Sequence, residues 1–379
     1  MMLKLCEGIG RNASIAISFG LIFGLVLQPV AAQSKPILLP AVWCLLTFSM
    51  YRLDFSSFLN FVLNWPRLLF LVSWLLLFSP LLMWFIASSL PVKESTLIAM
   101  VMTAGSSPLI GAAAIGRLLR LNNAMILTLL VSSTILAPIT LPFIALEFLN
   151  LEIGINSIDL IFRLSFLIGS AAIAAAVLRL FTHGKSLNFS DHALDGIIVL
   201  LLWLCGVPLM DGITHKLVND PYNTIFLILL SFFVYIGLML LGTLFSLVIW
   251  RNWRDAASLG LTSGSRNLAV IIVVLPASVD PEVVLYFALA QFPIYMMPAI
   301  LKYFGYPIKK AIGSAATIGF IIALCGAIGF CFSGSILNVK LPLSIGFINI
   351  PAFLIFIPIT MIMAKIGANY AHKIDKIKL

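Results

Sequence analysis

A charged side chain stands inside an otherwise apolar region of the chain. The stretch 260–267 reads Gly-Leu-Thr-Ser-Gly-Ser-Arg-Asn, and the apolar run 269–275 follows it at once. A guanidinium in hydrocarbon costs at least about 2.5–3.5 kcal/mol, so Arg266 needs polar surroundings. Gly264 weakens a helix at this point. The stretch predicts a buried arginine that faces a cavity or an anionic ligand. The alternative is an arginine that reaches the membrane surface from a helix that begins later.

A second polar interruption, Thr-Ala-Gly-Ser-Ser-Pro-Leu-Ile-Gly, occupies positions 103–111. Pro108 has no N–H to donate, and it disfavours the helical conformation at the preceding residue. Gly105 loosens the backbone further. In hydrocarbon, unwound backbone persists only where protein buries it or where it faces an aqueous cavity. The pattern indicates a broken helix, and an ordinary proline kink is the alternative.

Arg163 is a second charge within an apolar run. Asp159 precedes it by four residues, which places both side chains on one face of a helix. We therefore predict a local ion pair near the end of that helix, with a structural role.

The composition identifies the kind of protein that positions these residues. Hydrophobic residues make up 61% of the chain and charged residues only 10%, whereas soluble domains carry about 25% charged residues. The apolar runs are continuous and do not alternate, which excludes a transmembrane β-barrel. The net charge of +9 is spread along the chain in ones and twos, so it does not indicate nucleic-acid binding. We predict an all-α polytopic membrane protein in a lipid bilayer.

Twelve apolar segments have the length of membrane spans. An inside N-terminus places most of the 23 lysines and arginines in inside segments. Only Lys35, Lys93, Lys216 and Lys340 fall outside. This bias predicts that both termini are cytoplasmic. A cleavable signal peptide ending near residue 32 is the alternative for the first segment. The predicted spans cover about 13–32, 37–51, 68–90, 95–117, 123–146, 158–180, 194–212, 223–250, 256–277, 282–303, 312–333 and 345–366.

The two broken segments are the fourth span of the first five and the fourth span of the next five. Matching interruptions in two halves are typical of inverted-repeat transporters, and an odd number of spans per repeat inverts the second copy. Helix N-termini at such breaks present free N–H groups, which favour anions. The pattern predicts a secondary transporter.

Two motifs resemble the bile acid:sodium symporter family and its bacterial relatives. The first runs from Gly105-Ser-Ser-Pro-Leu-Ile-Gly to the hydroxyl-rich segment 129–142, which ends in a proline motif. The second is Thr262-Ser-Gly-Ser-Arg-Asn-Leu-Ala-Val. The resemblance covers about residues 10–305, or ten spans.

The resemblance implies a ten-helix inverted-repeat (5+5) core over 1–305 with two broken helices that cross. Panel helices would occupy about 13–51 and 158–212, and core helices about 68–146 and 223–303. Residues 306–379 would form a two-helix extension and a basic cytoplasmic tail. The implied site for substrate or ion consists of Ser106, Ser107, Thr128, Ser132, Thr262, Ser265, Arg266 and Asn267, with breaks at Gly105, Pro108 and Gly264.

The chain departs from the family pattern where sodium binds. Thr262 stands where sodium-coupled members have glutamate, and Arg266 stands where they have glutamine. A guanidinium repels sodium, and no carboxylate is present to hold it. We therefore expect Arg266 to replace one sodium, so that two-sodium coupling is lost and Na⁺ or H⁺ stays open as the coupling ion.

The predicted function is the transport of a small or amphipathic organic anion by alternating access in a bacterial inner membrane. Efflux of arsenite-like oxyanions and a non-transporting receptor or scaffold are the alternatives. An enzyme is not expected, because no catalytic pair or HExxH motif falls within a span. The five cysteines lack metal-ligand spacing, so we predict no metal centre or cofactor. The oligomeric state, monomer or homodimer, stays open.

Overall fold

The structure is a computed structural model. It describes residues 13–51, 65–149, 155–182, 191–276, 278–303, 344–345 and 348–349. The chain divides into two compact units, Met1–Tyr303 and Phe304–Leu379. The first unit carries all of the site residues predicted above.

The first unit begins with three helices: α1 (Ala13–Val26), α2 (Gln28–Ser34) and, after the 3₁₀ turn Lys35–Ile37, α3 (Leu38–Tyr51). Pro29 and Pro36 occupy first-turn positions of α2 and of the 3₁₀ turn, where the N–H that proline lacks has no helical acceptor. The chain therefore continues from one helix into the next.

The next pair of helices is joined by a π turn. Helix α4 (Trp65–Ser73) passes through the π turn Trp74–Phe78 into α5 (Ser79–Ser88). The Ser79 N–H donates to the Trp74 carbonyl five residues back, which is the hydrogen-bond spacing that defines a π turn.

Two helical segments are broken where the sequence predicts. Helix α6 (Glu94–Gly105) ends before the proline motif, and α7 (Ala112–Leu118) follows it. In the second half of the unit, α13 (Trp253–Gly264) and α14 (Leu268–Val274) flank Arg266. Both predicted breaks are confirmed as interruptions of a helix.

The remaining helices of this unit complete the set. They are α8 (Asn123–Pro142, continued by the π turn Phe143–Phe148), α9 (Ser157–Phe181), α10 (Asp191–Leu209), α11 (Ile213–Asn219), α12 (Pro221–Trp250), α15 (Pro281–Leu289) and α16 (Gln291–Tyr303).

The described part of the chain has five helices that are long and apolar enough to cross a membrane, or six if the bent pair α10–α11 is one span. The five are Gln28–Tyr51, Trp65–Ser88, Asn123–Phe148, Ser157–Phe181 and Pro221–Trp250. Large apolar side chains such as Phe166, Phe181 and Val248 point outward from them. Outward apolar faces on long helices are what a bilayer requires, and the prediction of an α-helical membrane protein is confirmed at this level.

The second unit corrects one span. The strands β1 (Ser344–Ile345) and β2 (Ile348–Asn349) pair antiparallel, with Ile345 opposite Ile348. The predicted twelfth span therefore does not begin at 345. The predicted eleventh span, 312–333, and the rest of the twelfth lie outside the described residues.

Candidate functional site

The two helix breaks lie side by side and pair through their backbones. The Leu109 N–H donates to the Ser265 carbonyl at 2.8 Å, and the Asn267 N–H donates to the Ser107 carbonyl at 2.8 Å. These bonds frame an antiparallel bridge between Pro108 and Arg266. Each break thus satisfies backbone groups of the other, which is how non-helical backbone persists away from water. We call this paired region, 105–111 and 264–268, the crossing.

Local sequence explains why the chain leaves the helix here. Ser106 and Ser265 are both extended, with ψ of 158° and 97°. Pro108 disfavours a helical residue before it. A Cβ on Gly264 would lie 2.8 Å from the Tyr235 carbonyl oxygen, so only glycine allows α13 to pack this closely on α12.

The guanidinium of Arg266 fills the crossing and is fully buried. Its Nε donates to the Ser263 carbonyl at 2.7 Å, and its Nη1 donates to the carbonyls of Ser106 at 2.6 Å and Leu75 at 3.3 Å. The Nη2 atom donates to Ser79 Oγ at 2.9 Å. Four protein oxygens from three separate chain segments therefore surround one positive charge. We call these four oxygens the oxygen cage.

Each carbonyl of the cage has lost its helical donor, two of them at the helix breaks and one in the π turn. The Ser263 carbonyl lies at the end of α13, and the Asn267 N–H that would reach it in a continuous helix bonds to Ser107 instead. Ser106 lies in the other break. Leu75 lies in the π turn, where the N–H five residues on would bond to it, and that residue is Pro80. Arg266 supplies the donors that these three carbonyls have lost.

A second layer of hydrogen bonds holds the cage in place. Ser79 Oγ donates to the Ala104 carbonyl at 3.1 Å while it accepts from Arg266. Trp74 Nε1 donates to Ser263 Oγ at 3.0 Å, and the hydroxyls of Tyr235 and Ser265 lie 2.8 Å apart. The crossing is therefore anchored to α5, to the π turn and to α12.

The positive charge at the crossing has no carboxylate partner in the part of the chain that the structure describes. Carbonyl dipoles and one hydroxyl stabilise it without neutralising it, as neutral oxygen ligands stabilise a bound metal cation. The structure confirms that Arg266 is buried. Its hydrogen bonds go to protein oxygens in this conformation, so its role as the direct counter-charge of a bound anion stays a prediction.

The structure brings together most of the predicted site residues at the crossing. Ser106 and Ser107 contribute carbonyls, and Ser265 contributes both a carbonyl and a hydroxyl. The amide Nδ2 of Asn267 is buried and has no hydrogen-bond partner among the described residues. A buried amide left without a partner costs about 1–3 kcal/mol, so this donor is a natural place for a ligand oxygen.

Three predicted hydroxyls, those of Thr262, Thr128 and Ser132, make none of the hydrogen bonds described at the crossing. Thr262 Oγ1 donates to the Ser258 and Leu259 carbonyls of its own helix, and Thr128 Oγ1 donates to the Ala124 carbonyl. Ser132 is half-buried on α8. Their role in binding therefore stays a prediction.

Several residues that hold the crossing in place were not predicted from the sequence. Leu75, Ser79, Trp74 and Tyr235 lie in apolar runs, where serine and the aromatic residues look like ordinary core. Pro80 could have indicated them. A proline inside a predicted span has no N–H, so one carbonyl of the preceding turn needs another donor. The sequence does not show which donor reaches it.

The predicted ion pair between Arg163 and Asp159 is wrong. Its Nη1 donates to the Val274 carbonyl, the last residue of α14, at 3.3 Å. Arg163 and Asp159 form no ion pair among the described residues. The N-terminus of α9 is instead capped by Asn156, whose side chain accepts from the Asp159 N–H at 2.8 Å. The orphan carbonyl at the end of α14 attracts the guanidinium away from its own helix.

Ion pairs and hydrogen bonds hold the ends of the broken helices. Arg67 Nη2 lies 2.6 Å from Asp255 Oδ2, and Asn122 Nδ2 donates to Asp255 Oδ1 at 2.8 Å. At the start of α6, Lys93 lies 2.8 Å from Glu282 on α15. The described residues contain no group of three or more histidine, cysteine, aspartate or glutamate side chains that could hold a metal ion.

Comparison with models of known protein families finds no match, and comparison with curated proteins finds none either. The resemblance to the bile acid:sodium symporter family stays a prediction from the two motifs.

Proposed function

We propose that this chain is a secondary transporter of a small or amphipathic organic anion that works by alternating access. The observation that carries the proposal is the crossing itself. Two broken helices pair inside an apolar protein, and their breaks hold one buried positive charge together with an unpartnered amide donor. A polar solute that crosses a bilayer needs a polar binding site between helices. In many transporters, broken helices form that site.

The charge at the crossing favours an anion. Arg266 adds a full positive charge where the dielectric is low, and the carbonyl dipoles around it balance that charge only in part. The Asn267 amide adds a directed donor beside it. A negatively charged oxygen at Asn267 would be attracted by both groups without displacing the oxygen cage.

The oxygen cage also bears on coupling. The guanidinium donates to oxygens that would otherwise suit a monovalent metal cation, and its charge excludes a second cation from the same place. This arrangement supports the proposal that transport proceeds without two-sodium coupling. We therefore expect the anion to move alone, in exchange for another anion or together with a proton.

The proposal includes the architecture expected from the sequence. It is a ten-helix inverted repeat in which panel helices near 13–51 and 158–212 rock against core helices near 68–146 and 223–303. The protein would lie in a bacterial inner membrane with both termini in the cytoplasm. Its partners would be the bilayer and the anion, with no nucleic acid.

Flux in reconstituted vesicles tests the proposal. Liposomes that contain the purified protein are loaded with labelled organic anions or with arsenite, in sodium chloride or in choline chloride. We expect saturable movement of an organic anion that is independent of sodium. Movement of arsenite alone would favour the oxyanion efflux carrier. Specific binding without flux of any solute would contradict transport and favour a receptor or scaffold.

A further inference from the structure

A cavity lies apart from the crossing, between helices α3, α9 and α14. Its volume is about 720 Å³, and its walls are mostly apolar. We call it the α3–α9–α14 groove. Its lining includes Trp43, Cys44, Phe166, Leu167 and Val274, with Arg163 as the charged side chain in the wall. Cavities that bind small molecules have volumes of about 300–1,000 Å³ and combine apolar walls with few polar groups.

The groove opens toward the apolar exterior of the protein. Phe162 and Phe166 on the same helix are 70% and 78% exposed, and these large side chains belong to the outward face of a membrane-length helix. A ligand would therefore enter from the bilayer side. A ligand that fits the groove therefore needs an apolar body.

The positive charge of Arg163 favours a ligand with a negatively charged head group. It is the seventh residue of α9, so it lies about 9 Å along the helix from Ser157. Its one described hydrogen bond, at 3.3 Å, is long, and it pairs with no carboxylate among the described residues. An exposed guanidinium at this depth still has N–H donors for an anionic head group. Trp43 and Ser170 of the wall are both hydrogen-bonded, since Trp43 Nε1 donates to Ser170 Oγ at 3.1 Å and Ser170 Oγ donates to the Leu167 carbonyl at 3.1 Å.

We propose that the α3–α9–α14 groove binds an amphipathic anion, with its apolar body between Trp43 and Phe166 and its carboxylate, sulfate or phosphate on Arg163. The inference rests on the proposed function and extends it, since it names the face from which the anion arrives. Helix α14 connects the two places. It has Asn267 at its start and Val274 at its end, and its seven residues span about 10 Å.

A purely structural role for Arg163 is the competing explanation. A cation beside the last carbonyl of a helix stabilises that helix by about 0.3–1 kcal/mol. In that case the groove would be filled by lipid chains of any charge. The two explanations differ in whether the head-group charge matters.

Tryptophan quenching distinguishes them. Full-length protein in neutral detergent is titrated with 9,10-dibromostearate, whose bromines quench a tryptophan that they contact. We expect saturable quenching that is largely lost in Trp43→Phe. Arg163→Gln should raise the half-saturating concentration about tenfold or more, the loss expected for one charge-assisted hydrogen bond. Arg163→Lys, which keeps the charge, should retain most of the affinity.

The dibrominated alcohol of the same chain length is the matched control ligand. It should bind weakly, and it should bind equally to the parent protein and to Arg163→Gln. If acid and alcohol quench alike, or if Arg163→Gln changes neither, the inference is overturned. Dibrominated phosphatidylglycerol tests the source of the anion. Charge-dependent quenching by that lipid assigns the site to membrane lipid, and quenching by the free acid alone assigns it to a free amphiphile.

Binding and flux separate the two proposals. Arg163-dependent binding without anion flux keeps the groove and contradicts the transporter. Anion flux with charge-independent quenching keeps the transporter and contradicts the groove.

Discussion

Arg266 and Arg163, which both fall inside predicted spans, have opposite surroundings in the structure. Arg266 is fully buried and donates to four protein oxygens, three of them carbonyls that have lost their helical donors. Arg163 lines an open groove and makes one described hydrogen bond, at 3.3 Å. The buried arginine has almost all of its donors in use, whereas the exposed one has donors to offer. Depth in the protein therefore does not by itself identify the side chain that meets a ligand.

Arg266 has a structural role, whereas Arg163 is available to bind an anion. The crossing needs a cation to hold three chain segments together, and Arg266 supplies it permanently. The groove needs a cation only when an anion is present. Substitutions at the two positions should therefore differ in what they damage.

The largest effect on stability is expected from Arg266→Gln. The change leaves buried carbonyls of Ser106, Ser263 and Leu75 without enough donors, which should cost about 3–5 kcal/mol in total. The measurement is thermal unfolding of detergent-purified protein, or its yield in membranes where the variant does not accumulate. Arg266→Lys is the control, because an ammonium keeps the charge and three donors. Arg266→Gln with the parent melting temperature would contradict the structural role.

A second large effect is expected from Gly264→Ala. The added Cβ would lie 2.8 Å from the Tyr235 carbonyl oxygen and 3.0 Å from Met239 Cβ, and overpacking of this kind costs about 1–3 kcal/mol. Gly237→Ala on the facing helix is the matched control, since nothing lies within 4 Å of its added Cβ. That control should be neutral or up to about 1 kcal/mol stabilising. Equal melting temperatures for the two variants would mean that the crossing is not closely packed.

A small effect on stability is expected from Arg163→Gln. Only the interaction with the end of α14 is lost, which amounts to about 0.3–1 kcal/mol. Thermal unfolding in neutral detergent without added anion measures it. A loss as large as that of Arg266→Gln would show that Arg163 has a structural role like that of Arg266.

The smallest effect is expected at the Lys93–Glu282 pair, because Lys93 is largely exposed. Glu282→Gln should cost no more than about 1 kcal/mol. The hydrogen bond to Glu282 raises the pKa of Lys93 above its ordinary 10.5. The contribution is therefore present below about pH 10.5 and is lost as pH rises through the higher folded pKa. The difference in melting temperature between parent and variant should vanish above that range. A difference that persists there would contradict an ionic origin.

Much of the helical layout was predictable because long apolar runs have few ways to satisfy their backbones in a bilayer. Pro108 and Gly264 also predicted both breaks. The partner of Arg266 was not predictable, since the carbonyls of Leu75 and Ser106 are backbone groups that no residue type reveals. Arg163 was misassigned because helical spacing identifies Asp159 as a neighbour, while the competing carbonyl at Val274 is distant in sequence. The strands at 344–345 and 348–349 were missed because an apolar run fits a strand as well as a helix.

The most direct test of the account is the melting temperature of the purified parent protein in sodium chloride and in choline chloride at equal ionic strength. A ligand that binds the folded state raises this temperature by mass action. If the guanidinium of Arg266 holds the cation's place at the crossing, the two salts give the same melting temperature, and an amphipathic anion raises it in both. Stabilisation by sodium alone would contradict the account, because it would mean that a metal cation still binds beside Arg266 or elsewhere in the fold.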